Sequence, residues 1–144
     1  MIESDTIKLL RECDSGIKMG VKSIDDVIGH VSSQDLKGIL LKCKSEHEKL
    51  DRELKENLDR YCDEGKNPNV IAEGMSKIKT GIMLKVSDTD ETIADLMTDG
   101  ANMGVKSLSK YLNKYAAADE KSKDICKRLI KLEDELARDI RLYL

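Results

Sequence analysis

The sequence predicts an all-α fold, a four-helix bundle made of two repeated helical hairpins that are joined by a long crossover. Charged residues make up 37% of the chain and apolar residues 40%, with no Trp or Phe, which suits amphipathic helices better than sheets. Apolar side chains recur every three or four positions over long stretches, which is the period of a helix. The stretch Gly16–Ile24 returns 84 positions later as Gly100–Leu108 with six of nine residues identical, which indicates an internal repeat.

The first helix is predicted between about Thr6 and Val31, with Ser4 and Asp5 available to cap its start. Its apolar residues keep the spacing of a single helical face, and that face is expected to turn toward the core. They are Leu10, Cys13, Ile17, Val21, Ile24, Ile28 and Val31.

A short link over residues 29–33 leads to a second helix, for which Ser32 or Ser33 is the expected cap. This helix is expected to end near Gly65, in the left-handed conformation that glycine adopts readily. Its length of about seven turns, roughly 40 Å, requires partner helices of similar length. Its apolar face consists of Leu36, Leu40, Cys43, His47, Leu50, Leu54, Leu58 and Tyr61.

The crossover is predicted to contain an extra helix over about 68–86, because Asn67 is a good cap and Pro68 is favoured in the first turn. The segment from Asp88 to Glu91 has the spacing of a capping box, which places the next helix start there. The apolar face of the extra helix consists of Ile71, Met75, Ile78, Ile82 and Val86.

The second hairpin repeats the apolar pattern of the first at an offset of 84 residues. A single domain over 1–144 is therefore expected, with repeat 1 over about 5–64 and repeat 2 over about 89–144. In the last helix a shift of 86 aligns His47 with Glu133. Two such hairpins form an up-down-down-up bundle. The apolar residues are Ala94, Met97, Ala101, Val105, Leu108, Leu112 and Tyr115, then Ile125, Leu129, Leu132, Leu136, Ile140 and Tyr143.

Glycines at equivalent positions of the two repeats are predicted to serve helix packing. They are Gly16 and Gly20 in the first repeat and Gly100 and Gly104 in the second. A glycine costs about 1 kcal/mol in a helix interior relative to alanine, and close approach of another backbone is the usual compensation. The alternative is a break of the helix near residues 14–16 and at the equivalent place in the second copy.

Charge and composition exclude several classes of partner. The 25 basic and 28 acidic residues give a formal net charge of −3, and no basic tract is interleaved with aromatic residues, so we expect no nucleic-acid partner. No apolar run reaches the roughly 20 residues that span a bilayer, and the chain begins without a signal peptide, so we expect a cytoplasmic protein without membrane contact. The four cysteines lack C-x-x-C spacing and are expected to be free thiols.

Three short motifs resemble those of bacterial ferritin-like domains of unknown function. They are Asp14-Ser15-Gly16 with Gly20, Glu46-His47-Glu48-Lys49-Leu50, and Asp63-Glu64-Gly65-Lys66-Asn67-Pro68. The resemblance covers most of the first hairpin and extends to the second through the repeat. It implies a ferritin-like bundle and a di-iron centre, whose usual ligands are one Glu on each of two helices and Glu-x-x-His on each of the other two.

The sequence departs from that ligand set, so we expect that the di-iron ligands are lost and that no cofactor is bound. His47 would be the histidine of the first motif, but Lys44 stands three residues before it, where a glutamate is required. The last helix has no histidine, and His30 lies in a predicted loop. Where the other helices should supply glutamates they offer Gly16, Met19, Gly20, Gly100, Met103 and Gly104.

His47 is predicted to be a buried histidine that hydrogen-bonds a carboxylate of a neighbouring helix. One alternative is a rebuilt mononuclear metal site, with iron as its metal, that uses His47, Glu133 and Glu46. The other is a general base, for which no nucleophile is evident in the sequence.

Three functions follow from these observations. The leading one is a non-catalytic bundle that acts through self-association, as a homodimer, or through an unknown protein partner, with Leu9, Val27 and Ile93 expected at the interface. The second is a metal-binding or redox protein with a non-standard site at His47. The third is a carrier of a small apolar ligand in a cavity beside the glycines. No phosphate-binding, hydrolase, kinase or dinucleotide motif occurs, and whether the protein is an enzyme stays open, with a non-catalytic role favoured.

Overall fold

The chain forms four long α-helices in a computed structural model that describes residues 2–61, 63, 65 and 89–144. The prediction of an all-α bundle is confirmed, since the described ranges contain no strand. The predicted extra helix over 68–86 and Cys62 lie outside the described residues. The helices are α1 (Ile2–Ile28), α2 (Gln34–Arg60), α3 (Asp90–Lys114) and α4 (Glu120–Asp139), and a short 3₁₀ turn (Arg141–Tyr143) follows α4.

Each of the last three helices begins at a side chain that caps its first turn. The Ser33 hydroxyl accepts a hydrogen bond from the Leu36 amide at 3.2 Å, as predicted for the start of α2. The Asp119 carboxylate accepts from the Ser122 amide at 2.8 Å at the start of α4. Thr89 caps α3, immediately after the predicted Asp88. Such a cap contributes about 1 kcal/mol.

Hydrogen bonds between the two hairpins fix the directions of the helices. The Thr6 hydroxyl, in the second turn of α1, accepts from the Asp119 amide at 2.9 Å. The Asp90 carboxylate, in the first turn of α3, accepts from the amides of Ser32 and Ser33 at 2.8 and 2.9 Å. The start of α1 therefore lies beside the α3–α4 loop, and the start of α3 lies beside the α1–α2 loop. Thus α1 and α4 run in one direction while α2 and α3 run in the other.

The end of α2 folds back onto α1. The helix ends at Arg60, and Gly65 adopts the predicted left-handed conformation with φ of +85°. The Gly65 amide donates to the Asp63 carboxylate at 2.9 Å, and Asp63 forms an ion pair with Arg11 of α1. A Cβ atom at residue 65 would collide with the buried carboxylate of Asp14, so both the backbone angle and the space require glycine here.

The core consists of two groups of buried apolar side chains, one above the other along the bundle. The lower cluster comprises Leu9, Leu10, Cys13, Ile17, Leu50, Leu54, Leu58, Leu108, Ala118, Ile125, Cys126 and Leu129. The upper cluster comprises Ile24, Val27, Leu36, Leu40, Cys43, Ile93, Met97, Ala101, Leu136, Ala137 and Ile140. Most of these residues belong to the apolar faces predicted from the sequence.

The predicted interface residues lie inside the core, so that prediction was wrong. The exposed fraction is 0% for Leu9, 2% for Val27 and 0% for Ile93. For Leu9 and Val27 the reason is that α1 packs against all three other described helices, which buries a wider arc of its surface than one apolar column. Ile93 lies on α3 and belongs to the upper cluster. A second column of apolar residues therefore serves the core and not a partner.

The described cysteines are free thiols, as predicted for Cys13, Cys43 and Cys126, and all three are buried. Cys13 and Cys126 lie together in the lower cluster. Their hydrogen bond, together with burial, raises the pKa of the Cys13 thiol, and the same hydrogen bond lowers the pKa of Cys126. No helix in the described part of the chain is both long enough and apolar enough to cross a membrane.

Candidate functional site

One residue from each helix meets between the lower and upper clusters. We call these residues, Gly20 of α1, His47 of α2, Gly104 of α3 and Glu133 of α4, the central layer. His47 Nε2 lies 2.7 Å from Glu133 Oε1. The exposed fraction is 1% for His47 and 8% for Glu133, so the ion pair is buried at mid-height of the bundle.

A hydrogen bond within α2 holds the other nitrogen of the His47 ring in place. His47 Nδ1 donates to the backbone carbonyl of Cys43, one turn earlier, at 2.8 Å, and the Cys43 thiol lies 3.5 Å from the same nitrogen. The carbonyl oxygen can only accept, so Nδ1 carries a proton, and with Glu133 ionised Nε2 donates as well, which requires the doubly protonated ring. His47 and Glu133 therefore form an imidazolium–carboxylate pair.

The pKa of His47 agrees with this assignment. Burial lowers the pKa, as it does for any buried cation, but hydrogen bonds to Cys43 and Glu133 and the charge of Glu133 outweigh burial. The net result raises the pKa of His47 from 6.5 to about 10. The ring is therefore protonated at neutral pH and unsuited to accept a proton as a general base.

Two of the four predicted packing glycines make room for the ion pair. A Cβ atom at Gly20 would lie 3.0 Å from His47 Nε2 and 3.4 Å from Glu133 Oε1. A Cβ atom at Gly104 would lie 3.5 Å from Glu133 Cδ. These glycines face side chains of neighbouring helices, whereas the prediction expected another backbone.

The other two glycines differ from each other. A Cβ atom at Gly16 would lie 3.6 Å from both Leu108 and Leu129, in ordinary contact with the lower cluster. Gly100 is exposed, and a Cβ atom there would meet nothing within 4 Å. The packing role predicted for Gly100 was wrong, because the next residue, Ala101, is the one that α3 turns into the core.

The residues of the central layer do not fit the metal site that the resemblance implies. Glu46 points away from His47 and forms an ion pair with Lys49 at 3.2 Å, with 40% of its side chain exposed. Glycines stand on α1 and α3 where a di-iron centre needs carboxylates. His47 uses both nitrogens as donors and has no lone pair for a metal. No group of three or more potential ligands that could hold a metal ion occurs in the described ranges.

Sequence reasoning missed a second buried charge. Asp14 of α1 is 1% exposed and forms an ion pair with Lys18, one turn later, at 2.7 Å. It lies below the central layer, beside Gly65. The sequence feature that could have revealed it is an acidic residue on the apolar face of α1, between Cys13 and Ile17.

We expect Gly20→Ala to lower the free energy of unfolding by about 1 kcal/mol. Alanine favours a helix by about 1 kcal/mol, but forcing a methyl group against the His47 ring costs about 1–3 kcal/mol. Gly100→Ala is the matched control, because its methyl group meets nothing and is expected to raise stability by up to about 1 kcal/mol. Urea unfolding followed by circular dichroism measures both variants. An equal gain in stability in both would contradict the tight packing at Gly20.

Comparisons of the chain with protein-family models, with curated proteins and with solved structures found no match. The proposed function therefore rests on the geometry of the central layer.

Proposed function

We propose that this protein is a non-catalytic, ferritin-like helical bundle that acts by association with protein, first of all with a second copy of itself. The observation that carries the proposal is the central layer. In metal-binding bundles of this type, carboxylates and histidines of all four helices point inward and hold the reactive metal. Here the same depth is filled by one buried ion pair and two glycines.

Residues that play equivalent roles in the two hairpins are separated by a nearly constant number of positions, which supports a ferritin-like bundle built from a duplicated hairpin. Gly20 and Gly104 are 84 residues apart, and both lie against the ion pair. His47 and Glu133 are 86 residues apart and bind each other. The caps Ser33 and Asp119 are also 86 residues apart, and in both the amide donates to a side chain near the start of a helix in the other hairpin. The helix directions agree with the up-down-down-up order.

The alternatives receive less support. A carrier of small apolar ligands needs the space beside the glycines, but Leu108 and Leu129 occupy it at Gly16, and His47 and Glu133 occupy it at Gly20. A metal or redox site at His47 requires the ring to lose a proton and to release Glu133. Either step disrupts a buried pair, which costs several kcal/mol.

Function is then expected at the surface. Large apolar side chains exposed on the described helices include Leu41 of α2, 45% exposed, and Met103 of α3, 67% exposed. Exposed apolar residues of this size are available to an interface, whereas the interior is used for packing.

Analytical ultracentrifugation from low micromolar to several hundred micromolar protein tests the proposal. We expect a dimer of twice the 16.2 kDa chain mass, with dissociation on dilution. A strict monomer over the whole range would overturn self-association.

Metal content, measured in parallel, tests the non-catalytic part of the proposal. The protein is incubated anaerobically with Fe(II), desalted and submitted to elemental analysis, with His47→Leu/Glu133→Leu as the matched control. We expect no retained iron in either protein. Near-stoichiometric iron in the wild type that is lost in the double variant would establish a metal site instead.

A further inference from the structure

We infer that the outer face of α3 binds an acidic amphipathic helix of a protein partner. This surface deepens the proposed association function and rests on it. It consists of Met103, Lys106, Lys110 and Lys114, and we call it the α3 lysine face. Residues three or four apart project from the same side of a helix, so the four side chains form one continuous stripe. Each of the four residues is exposed.

No carboxylate of the described residues pairs with the lysines of this face, and the Lys114 ammonium lies 5.5 Å from the centroid of the Tyr115 ring. No carboxylate occurs between Asp99 and Asp119 along the chain, and no ion pair involves Lys106, Lys110 or Lys114 in the described ranges.

Several lysines of the other helices do form ion pairs. On α1, Lys18 binds Asp14 at 2.7 Å. On α2, Lys44 binds Asp25 at 2.6 Å, and Lys55 pairs with a carboxylate one turn earlier. The α3 lysine face is thus a local positive stripe on a chain whose formal net charge is −3. Such a stripe attracts a partner of opposite sign and favours its approach.

The face also offers an apolar anchor. The Met103 side chain is 67% exposed, and Gly100 lies one turn before it with open space above its backbone. An apolar side chain of a partner can lie over Gly100 and against Met103, whose flexible thioether adapts to different shapes. The combination of one apolar anchor and flanking lysines fits a helix with a leucine on its contacting face and Glu or Asp at four-residue spacing beside it.

Two other occupants fit less well. A symmetric contact between two copies would place each lysine stripe against itself, because a twofold axis pairs the same surface patch on both chains, and like charges would repel. A nucleic acid would gain contacts to three lysines, but the acidic balance of the chain opposes it.

Titration of the ¹⁵N-labelled protein with synthetic helical peptides, followed by amide chemical shifts, tests the inference. The first peptide carries Leu on one face and flanking Glu; the second has Lys in place of every Glu; a single-stranded oligonucleotide is the third ligand. We expect the acidic peptide to shift amides of α3 around residues 100–114, and the basic peptide to shift none of them.

Charge-reversal variants localise the binding. Lys106→Glu/Lys110→Glu/Lys114→Glu is expected to weaken binding of the acidic peptide about tenfold or more, since several exposed charge contacts are reversed at once. Lys42→Glu/Lys121→Glu/Lys127→Glu changes the net charge equally at exposed lysines of other helices and is expected to change affinity less than about twofold. Melting curves establish that both variants fold.

Three outcomes would overturn the inference: equal weakening by both triple variants, no binding of the acidic peptide, or tighter binding of the oligonucleotide. None of them depends on the oligomeric state. If the protein is a dimer in the ultracentrifuge but does not bind the peptide, the inference about the α3 lysine face is wrong and the proposed self-association stands. Peptide binding by a strict monomer would overturn self-association and support association with a different protein through the α3 lysine face.

Discussion

Glu133→Leu alone is expected to lower the free energy of unfolding by about 3–5 kcal/mol, because it leaves the His47 imidazolium buried without its counter-charge. The double variant His47→Leu/Glu133→Leu is expected to recover most of this loss. Two leucines of similar volume bury no charge, and replacing a whole buried ion pair with apolar residues is often neutral or stabilising. Removing half of the pair should therefore cost more than removing all of it.

Urea unfolding of the wild type, the two single variants and the double variant measures this as a double-mutant cycle. Glu135→Leu is the matched control on the same helix, since its ion pair with Lys131 is long, 3.8 Å, and exposed. That substitution is expected to change stability by less than about 0.5 kcal/mol. If the losses of the single variants simply added in the double variant, the two residues would not act as a pair.

Alkaline pH is expected to destabilise the wild type more than the double variant. The pKa of His47 is about 10 in the folded protein and 6.5 without the fold, so the folded state holds one more proton between these values. The contribution of the pair is fully present below pH 6.5 and is lost as the pH rises through 10. The free energy of unfolding should fall by about 1.4 kcal/mol per pH unit in that window from this group alone.

Urea unfolding at pH 7, 8 and 9 tests this dependence. Other groups also titrate in alkali, and His47→Leu/Glu133→Leu carries all of them except the pair. The difference in slope between the two proteins therefore isolates the pair. We expect a steeper decline in the wild type, and parallel declines would show that the ring is neutral in the fold.

The helices could be predicted because their signals are local. Apolar residues at three- and four-residue spacing mark one face of each helix, and a side chain such as Ser33 marks a helix start without reference to the rest of the chain. A helix boundary differed from its prediction where contacts with another helix intervene. α1 ends at Ile28, before the predicted Val31, and the loop amides that follow bind Asp90 of α3.

The candidate site was partly predictable for a different reason. The offset between the hairpins aligned His47 with Glu133, and these two residues prove to be hydrogen-bonded. The sequence pattern does not reveal how many neighbours surround a helix. Leu9 is buried because α1 packs against all three other described helices, and Gly100 is exposed because α3 turns Ala101 into the core instead. Only the packed bundle defines these contacts.

The contacts between the hairpins at both ends of the bundle have a consequence for folding. In each loop a backbone amide donates to a side chain near the start of a helix in the other hairpin: Asp119 to Thr6, and Ser33 to Asp90. A hairpin that forms alone loses these bonds, leaves its loop amides to water, and exposes its half of the central ion pair without the partner residue. Neither half is then a stable intermediate, so the described helices are expected to form and melt as one cooperative unit.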